Sequence, residues 1–392
     1  MRIAHLTATY PPYPGGAGNT AYEFAIAQAA RGHDVQVITA PHPGEIPPTP
    51  GVKVHRIKPV FAIGNAPFIP RIARLSGFDV IHLYYPFIFG AELVMLARSR
   101  PAGRDQALLV HYENRLVGPG PRGLLFNGYE HTVAPALIRS ADKVAALSED
   151  HGHSIGYLRD LAENSPQRFT TIPNPVDTNR FSPGDSDLRE QLGIPADAVV
   201  GIYVGTLDLA HKFKRVDITI DAIAGLPEDE RENFHLVVAG GGELLEGFRE
   251  YADTAGIGER THFLGSVSQA ELPGVLRGGD IFLFSTEPPE SFGIAMAEAM
   301  ACGLPAVATR YPGAEAVNSH GETGYVVDLG DVDGFREAVR ELIAAGPEKR
   351  RQMGDAARQR VVDNWGPETI LDQLEVAYAE AIATRKERLA GK

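Results

Sequence analysis

Residues 2–39, RIAHLTATYPPYPGGAGNTAYEFAIAQAARGHDVQVIT, decide the fold of the first half of the chain. The short apolar run at residues 2–7 predicts a buried strand, and a Pro- and Gly-rich loop follows it. Next come a predicted helix from Ala21 to about Arg31 and a second strand at Val35–Thr39. Strand, helix and strand in this order form a βαβ unit, which indicates a parallel sheet covered by helices.

The second half of the chain repeats this alternation of strands and helices. A strand is predicted at Val199–Val204 and a helix with an apolar face at Val216–Ala224. A further strand at Phe234–Ala239 ends in three consecutive glycines. Both halves are therefore predicted to be doubly wound α/β domains.

The boundary between the halves is expected in a segment rich in Pro, Asn, Asp and Gly, near Pro173–Pro183. We predict an N-terminal Rossmann-like domain of residues 1–175 and a C-terminal one of residues 176–367. A C-terminal helix within residues 368–392 is expected to pack back on the first domain. Because ligands of open parallel sheets bind beyond the carboxyl ends of the strands, we expect the two domains to face each other across one cleft.

The composition excludes several classes of protein. The 392 residues are 44% hydrophobic, which is too apolar for a disordered chain, and their net charge is −13. Such an acidic chain is a poor general binder of nucleic acid or of an anionic membrane, although peripheral membrane contact stays open. A single cysteine, Cys302, excludes an internal disulfide and a cysteine-based zinc site. With no long apolar run and no signal peptide, we expect a cytoplasmic protein without a transmembrane segment.

The most specific segment is ESFGIAMAE, residues 290–298, which follows a predicted strand at Ile281–Phe284. Its two carboxylates, Glu290 and Glu298, lie about two turns apart on one side of a helix. One of them suits sugar hydroxyls, and the other suits the two hydroxyls of a ribose. Spacing alone supports an ordinary helix with a solvated Glu298 equally well. The apolar neighbours of Glu298 favour a shielded carboxylate that needs partners.

The start of this helix is expected to offer backbone N–H groups to a ligand. The first amides of a helix have no partner within the helix, so we expect the amides of Phe292, Gly293 and Ile294 to be free. Free amides at a helix N-terminus suit an anion such as a diphosphate.

Extended to Pro305, the same segment resembles the E-x7-E signature of the retaining glycosyltransferases of family 4, which have the GT-B fold. Further segments match that family in its order, and together they cover nearly the whole chain. They are Pro14–Gly18, Gly32–Val35, Ile172–Phe181, Val204–Gly205, Val238–Gly242 and Phe263–Val267. The resemblance implies transfer of a sugar from a nucleotide-diphospho-sugar to an acceptor hydroxyl.

The resemblance also implies roles for single residues. Glu290 would contact hydroxyls of the donor sugar, and Glu298 would bind the ribose of the nucleotide. A glycine loop at Gly15 and Gly16 would let the backbone approach the phosphates and the acceptor, with a plain turn as the alternative. The donor-binding residues implied in this way are Gly15, Gly16, Lys212, Lys214, Glu290, Ser291, Phe292, Gly293, Ile294 and Glu298.

Two positions near a predicted phosphate site depart from the family pattern. The family has an Arg where this chain has Thr206, and a Gly where this chain has Arg215. Lys214 matches the Lys of the family. We infer that Lys212 takes over from the missing Arg in neutralising the leaving diphosphate. An exposed basic loop without a ligand is the alternative.

His111 ends a predicted strand at Leu108–His111, and a histidine at the carboxyl end of such a strand is expected to point toward the cleft. A lone histidine is more often structural. The resemblance favours a functional role, because the family has a histidine beside the donor sugar at this place. The Asp that usually follows it is Tyr112 here. The catalytic residues implied are His111, Glu290 and Lys214.

The resemblance further implies retention at the anomeric carbon, with no essential metal, no metal-ligating residues and no other cofactor. The donor base, the sugar and the acceptor stay open, since a small molecule, a lipid and a glycan all fit the sequence. Rings expected to line an acceptor pocket are Tyr84, Tyr85, Phe87, Tyr112 and Phe126. The alternatives are a non-catalytic nucleotide-sugar or glycan binder, a sugar-nucleotide epimerase or hydrolase, and an NAD-dependent dehydrogenase, for which a clean G-x-G-x-x-G motif is missing.

Overall fold

The chain forms two compact units. Unit 1 comprises Met1–Pro175 together with the C-terminal residues from Pro367, and unit 2 comprises Val176–Gly366. The computed structural model describes residues 1–13, 15–116 and 120–391.

Unit 1 is built on one parallel sheet of seven strands in the spatial order β3-β2-β1-β6-β7-β8-β9, with a separate antiparallel hairpin of β4 and β5. The central strands are buried on both faces, as expected for a parallel sheet covered by helices. The strands are β1 (Arg2–Leu6), β2 (Asp34–Thr39), β3 (Val52–Arg56), β4 (Phe61–Ile63), β5 (Ala66–Phe68), β6 (Val80–Tyr85), β7 (Ala107–Tyr112), β8 (Lys143–Ala146) and β9 (Phe169–Thr171).

Five helices of unit 1 precede residue 175. They are α1 (Gly16–Ala30), α2 (Gly90–Ser99), α3 (Gly120–Ser140), α4 (Glu149–His153) and α5 (Gly156–Asn164), with short 3-10 helices at Pro70–Arg74, Pro101–Gly103 and Pro166–Arg168. Helix α1 begins before the predicted start at Ala21. Gly15 is its cap in an extended conformation (φ −162°, ψ 138°), and the Thr20 hydroxyl donates to the Gly16 carbonyl (3.2 Å), so polar residues expected in the loop form the first turn.

Unit 2 carries a second parallel sheet, of six strands, in the order β12-β11-β10-β13-β14-β15. The strands are β10 (Val199–Val204), β11 (Phe234–Ala239), β12 (Thr261–Gly265), β13 (Ile281–Phe284), β14 (Ala306–Thr309) and β15 (Gly324–Val327). The helices are α6 (Leu188–Leu192), α7 (Val216–Ala224), α8 (Glu228–Glu232), α9 (Leu245–Thr254), α10 (Leu272–Arg277), α11 (Ile294–Ala301), α12 (Ala314–Val317), α13 (Val332–Ala344) and α14 (Gly346–Trp365), with 3-10 helices at Leu209–Lys214 and Gly258–Arg260.

The last helix, α15 (Pro367–Ala390), returns to unit 1 and packs on β6, β7 and β8. Its apolar side buries Ile370, Leu374 and Tyr378. Two doubly wound sheets, one in each unit, confirm the predicted α/β class. Among the helices of the described residues, none combines the length and the apolar character needed to span a bilayer.

Candidate active site

The strand order of unit 2 reverses between β10 and β13, and ligands of doubly wound sheets bind at such a point. The loop after β10 carries Lys214, and the loop after β13 carries Glu290. The Lys214 ammonium forms an ion pair with Glu290 Oε2. The structure thus brings together two of the three residues that the sequence indicates as catalytic.

Glu290 is held as an ionised carboxylate at the start of α11. Its Oε1 accepts the amides of Ser291 (3.3 Å) and Gly293 (3.1 Å). Burial acts to raise the pKa of Glu290, but the Lys214 ammonium and these amides outweigh it, so the pKa lies below its usual value. The expectation that the Gly293 amide is free for a ligand is therefore wrong for this structure, because Glu290 reaches back to accept it.

A glycine is required at position 293 for two reasons. Its φ of +80° lies in the left-handed region, and an added Cβ would lie 2.2 Å from the Tyr311 hydroxyl. That hydroxyl donates to the Phe292 carbonyl (3.0 Å). Tyr311 therefore fixes the loop that holds Glu290, and no motif in the sequence predicts this role.

Glu298 differs from Glu290 in the hydrogen bonding of its carboxylate. It lies on α11 and is 8% exposed, and within the described residues its carboxylate has no hydrogen bond or ion pair. Burial raises the pKa of Glu298 to about 8, against the opposing charge of Arg180. Burying a carboxylate without hydrogen-bond donors costs free energy, and ligand hydroxyl groups are donors of the kind that Glu298 lacks among the described residues.

Arg180 is a polar residue near this carboxylate that sequence reasoning missed. Its amide donates to Asp177 Oδ1 (3.0 Å), and its Nε is buried without a hydrogen-bond partner among the described residues. A basic residue inside the matched segment Ile172–Phe181 was the available signal.

A cavity of about 440 Å³ opens beside the loop after β10. Thr206 and Lys212 are exposed at this cavity, and Lys214 also lines it, so the structure brings the three positions of the predicted phosphate site together. The full lining is Tyr203, Thr206, Leu207, Asp208, His211, Lys212, Lys214, Arg215, Val216, Asp217, Leu244, Phe248 and Glu287.

Arg215 clamps this loop to its neighbours. Its guanidinium donates twice to Asp217 Oδ2 (2.8 and 3.1 Å) and once to Asp217 Oδ1 (3.0 Å), and Nη1 donates to Glu287 Oε2 (3.0 Å). The backbone of Arg215 is left-handed (φ +46°, ψ +44°), which is unusual for a residue with a side chain. The position needs the conformation that a glycine adopts readily, and the ion pairs hold Arg215 there.

Comparison with protein families gives the same assignment for both units. Residues 14–180 match the family described as Glycosyltransferase Family 4, and residues 185–360 match the family described as Glycosyl transferases group 1. The chain belongs to the family 4 glycosyltransferases. The resemblance that the sequence motifs indicate is thereby confirmed.

Relatives of this family 4 glycosyltransferase cover nearly the whole chain. D-inositol 3-phosphate glycosyltransferase of Geodermatophilus obscurus is 28% identical, over 98% of this chain and 90% of the relative. N-acetyl-alpha-D-glucosaminyl L-malate synthase of Bacillus anthracis is 25% identical, over 96% of each chain. Each name describes the activity of that protein.

Solved structures confirm the GT-B fold of this glycosyltransferase. Sucrose-phosphate synthase from Thermosynechococcus elongatus has a TM-score of 0.79 at 22% identity, covering 97% of this chain and 99% of that chain. Anabaena HepE, solved in complex with UDP-glucose, has a TM-score of 0.73 at 22% identity, covering 98% of this chain and 100% of that chain.

The third catalytic residue predicted for this glycosyltransferase, His111, lies in the core of unit 1. The predicted strand ends at His111, whereas β7 continues to Tyr112, and the His111 ring is fully buried. Its Nε2 donates to the Ile172 carbonyl (3.0 Å), and its Nδ1 lies 3.3 Å from His82 Nε2. Burial lowers the pKa of His111 to about 3, so the ring is neutral.

The rings expected to line an acceptor pocket lie mostly in the core as well. Tyr84, Tyr85, Phe87 and Tyr112 are at most 1% exposed, and Phe126 alone of the five is half-buried. Successive residues of β6 and β7 alternate between two faces that are both covered by helices, which buries aromatic side chains on either side. An acceptor pocket lined by all five rings is therefore not present.

The glycines of the loop in unit 1 differ in whether packing leaves room for a side chain. A Cβ at Gly18 would lie 2.7 Å from the Thr9 carbonyl oxygen, so close packing requires that glycine. A Cβ at Gly16 would meet nothing within 4 Å, and one at Gly15 would meet only the Tyr13 ring at 3.2 Å and the Thr9 hydroxyl. Packing inside the chain thus leaves room at Gly16. Pro14, the first residue of this motif, lies outside the described residues.

No group of three or more His, Cys, Asp or Glu side chains arranged to hold a metal ion occurs in the part of the chain that the structure describes.

Proposed function

We propose that this glycosyltransferase moves a sugar from a nucleotide-diphospho-sugar to an acceptor hydroxyl, with retention at the anomeric carbon and without an essential metal. The observation that carries the proposal is the contrast between Glu290 and Glu298. The Glu290 carboxylate is paired with Lys214 and two amides, whereas the Glu298 carboxylate is buried without a hydrogen-bond donor among the described residues. A ribose diol is a ligand whose two O–H groups can satisfy the second carboxylate.

The donor is proposed to bind along the loops after β10 and β13. Glu290 would accept hydroxyls of the sugar, and Glu298 would accept those of the ribose. The diphosphate would lie between them, near Lys212, Lys214 and the backbone of residues 291–294. The complex of Anabaena HepE with UDP-glucose supports a donor of this kind.

The proposed reaction breaks the bond between the anomeric carbon and the diphosphate and forms a bond from that carbon to the acceptor oxygen on the same face. Negative charge builds on the leaving diphosphate, and Lys212 and Lys214 would stabilise it. The acceptor proton passes to an oxygen of the leaving phosphate, so no protein nucleophile is needed. Glu290 would orient the sugar, because a carboxylate paired with Lys214 is already engaged.

His111 is proposed to contribute by position and not by proton transfer. Both of its ring nitrogens are engaged inside unit 1, and its pKa of about 3 leaves it neutral. A ring in this state is a poor general base at neutral pH.

The test begins with a thermal-shift screen of nucleoside diphosphates and sugar nucleotides, since a ligand that binds only the folded state raises the melting temperature. The donor that stabilises best is then incubated with a panel of acceptors that includes inositol 3-phosphate and L-malate, the compounds in the names of two relatives. NMR of the product reads the anomeric configuration, and a parallel reaction contains EDTA.

The expected result is a product with the same anomeric configuration as the donor sugar. The rate of transfer is expected to be the same with and without EDTA. Inversion would contradict retention, and loss of the rate in EDTA would contradict metal independence. Donor conversion without any acceptor would indicate an epimerase or hydrolase. Tight nucleotide-sugar binding with no turnover would indicate a binding protein.

A further inference from the structure

The core of unit 1 contains polar side chains that the proposed reaction does not use. Three histidines, all fully buried, lie on the adjacent strands β1, β6 and β7, and further polar side chains come from α1 and α15. We call this set the buried polar chain. Its members, in order, are Tyr84, His5, Gln28, Tyr378, His82 and His111, and it ends at the Ile172 carbonyl.

The direction of the chain is fixed at its end. The Ile172 carbonyl can only accept, so His111 Nε2 must carry a proton and donate to it (3.0 Å). A neutral His111 then has an unprotonated Nδ1, which must accept. Its neighbour there is His82 Nε2 at 3.3 Å, so His82 also carries its proton on Nε2.

The next hydrogen bonds involve Tyr378 on α15 and Gln28 on α1. With Nε2 protonated, His82 Nδ1 accepts, and the Tyr378 hydroxyl donates to it (2.7 Å). The Tyr378 oxygen accepts from Gln28 Nε2 (3.1 Å), and Gln28 Oε1 accepts from His5 Nε2 (2.7 Å).

The last link is the Tyr84 hydroxyl, which donates to His5 Nδ1 (2.9 Å) and lies farther, at 3.5 Å, from His82 Nδ1. With the Gln28 amide oriented as in this structure and all three rings neutral, the six hydrogen bonds therefore run in one direction, and reversing one of them would leave two donors or two acceptors facing each other.

We propose that the buried polar chain positions His111 by fixing it, like His82 and His5, in the neutral Nε2–H form, and that Tyr378 is the positioning residue on which this depends. The proposal rests on the proposed function, because it concerns a residue predicted to serve the transfer reaction. Tyr378 donates to one histidine and accepts from Gln28, so it joins the two halves of the chain.

The surroundings support neutral rings. Burial lowers the pKa of His5 to about 4 and also lowers that of His82. The nearest acid to His111 is Glu113, whose Oε1 lies 3.9 Å from His111 Nε2, and burial raises the pKa of Glu113 to about 7. The Phe24 ring covers His82 and His111 from α1.

The chain also connects the two places where the polypeptide passes between units. Ile172 lies three residues before the end of the first segment of unit 1, at Pro175, and α15 begins where the polypeptide returns, at Pro367. Tyr378 and Ile172 are thus joined through His82 and His111 by side-chain bonds alone.

The first test reads the protons directly in the wild-type protein. In NMR spectra of the full chain labelled with ¹⁵N-histidine, His5, His82 and His111 are expected to show protonated Nε2 and unprotonated Nδ1 between pH 6 and 8. His82 and His111 are assigned by their contacts with the rings of Phe24 and Tyr378. An Nδ1–H form or a charged ring at either of these two histidines overturns the chain.

The second test is Tyr378→Phe, which removes one hydroxyl and keeps the ring. His82 Nδ1 then loses its donor at 2.7 Å and keeps only the Tyr84 hydroxyl at 3.5 Å, which donates to His5, so His82 is expected to change its protonation form. We expect kcat to fall about tenfold, with the dissociation constant of the nucleotide unchanged because the proposed carboxylates lie in unit 2. The matched control is Tyr129→Phe, which removes a buried hydroxyl that donates to Glu92 (3.0 Å) in the same unit but outside the chain.

The results that would overturn the positioning role differ from those that would overturn the proposed function. An unchanged kcat in Tyr378→Phe, or an equal fall in Tyr129→Phe, overturns the positioning role, since the effect would then be absent or general to the unit. If no donor supports transfer by the wild-type protein, the proposed function fails, whereas the NMR result still decides whether the chain exists.

Discussion

Replacing Glu298 by glutamine is expected to stabilise the ligand-free protein and to weaken nucleotide binding. The carboxylate is 8% exposed and has no hydrogen bond to the described residues, and its pKa is raised to about 8. Glutamine has nearly the same shape and no charge. The substitution therefore removes the cost of a buried carboxyl group together with its use to a ligand.

The size of the stability gain follows from the pKa. In the unfolded chain the carboxyl ionises near its ordinary pKa of 4.5, whereas in the folded protein it keeps its proton up to about pH 8. The folded state therefore loses stability as the pH rises above 4.5, by about 1.4 kcal/mol per unit, and the loss levels off above pH 8. Glu298→Gln is expected to be more stable than the wild type by about 3 kcal/mol at pH 7 and by less than about 1 kcal/mol at pH 5.

The assay is urea unfolding followed by tryptophan fluorescence at pH 5, 6, 7 and 8. The single tryptophan of the protein, Trp365, is buried in unit 2 and so reports on the unit that contains Glu298. The matched control is Asp280→Asn in the same unit. Asp280 Oδ2 accepts from Arg189 (2.5 Å) and from the Val200 amide (2.8 Å), so its neutral variant is expected to lose stability.

Binding supplies the second readout of this variant. Hydrogen bonds from ligand hydroxyls to a carboxylate are expected to contribute about 1.5 to 3 kcal/mol, so Glu298→Gln should weaken nucleotide affinity about 10- to 100-fold in calorimetry. Donated hydroxyls favour the ionised carboxylate, so binding to the wild type at pH 7 should release a proton and give an enthalpy that varies with the buffer. A variant less stable than the wild type at pH 7, or one with unchanged affinity, would refute the reasoning.

Three further predictions concern the loop after β10. Lys214→Met leaves Glu290 buried without its ion pair and should lower kcat about 100-fold in steady-state kinetics, whereas a loss confined to KM would contradict a role in the transition state. Lys212→Met should weaken nucleoside diphosphate binding about tenfold, and Thr206→Arg in the same chain should restore it; calorimetry without rescue would argue against Lys212 as a substitute. Arg215→Gly relieves a left-handed backbone, which gains about 1 kcal/mol, and removes ion pairs that contribute about as much, so the urea midpoint of unfolding should hardly move. Because the loop is no longer held by these ion pairs, the KM for the donor should rise severalfold. An unchanged KM would contradict a role of Arg215 in holding the loop.

Much of the fold could be predicted because, in a parallel α/β chain, apolar runs mark the strands and polar segments rich in Gly and Pro mark the loops between them. Strands β10, β11 and β13 and helix α7 begin and end at their predicted residues. Such strands are buried on both faces, so their apolar runs stand out from the polar loops between them. The start of α1 was predicted too late, since Gly16–Thr20 are poor helix formers whose conformation depends on packing against Thr9 and on the extended cap at Gly15.

The part of the site that the sequence could indicate is the part carried by local spacing. Glu290 and Glu298 lie on one segment, and their positions follow from the helix that joins them. Tyr311 and Arg180 could not be indicated in this way, since each comes from a different segment and meets the site only through the tertiary fold. For His111, its place at the end of an apolar run predicted a ring that points toward the cleft from the end of a strand. The strand extends one residue further, and α1 and α15 pack against this part of unit 1, where the ring is fully buried.

The buried polar chain of unit 1 and the Glu298 carboxylate of unit 2 contrast in one respect, which is whether the described residues supply their hydrogen-bond partners. In unit 1 every member of the buried polar chain finds a partner, so a ligand could only displace a bond already made, and the expected role is to hold the core in one arrangement. In unit 2 the Glu298 carboxylate has no hydrogen bond among the described residues, and its raised pKa lowers the stability of the folded protein at neutral pH. When a ligand donates hydrogen bonds to a carboxylate of this kind, it removes the unfavourable free energy of burial that the ligand-free protein carries. Hydroxyl-rich ligands are thereby favoured over phosphate alone, because a phosphate would bring a second negative charge beside Glu298.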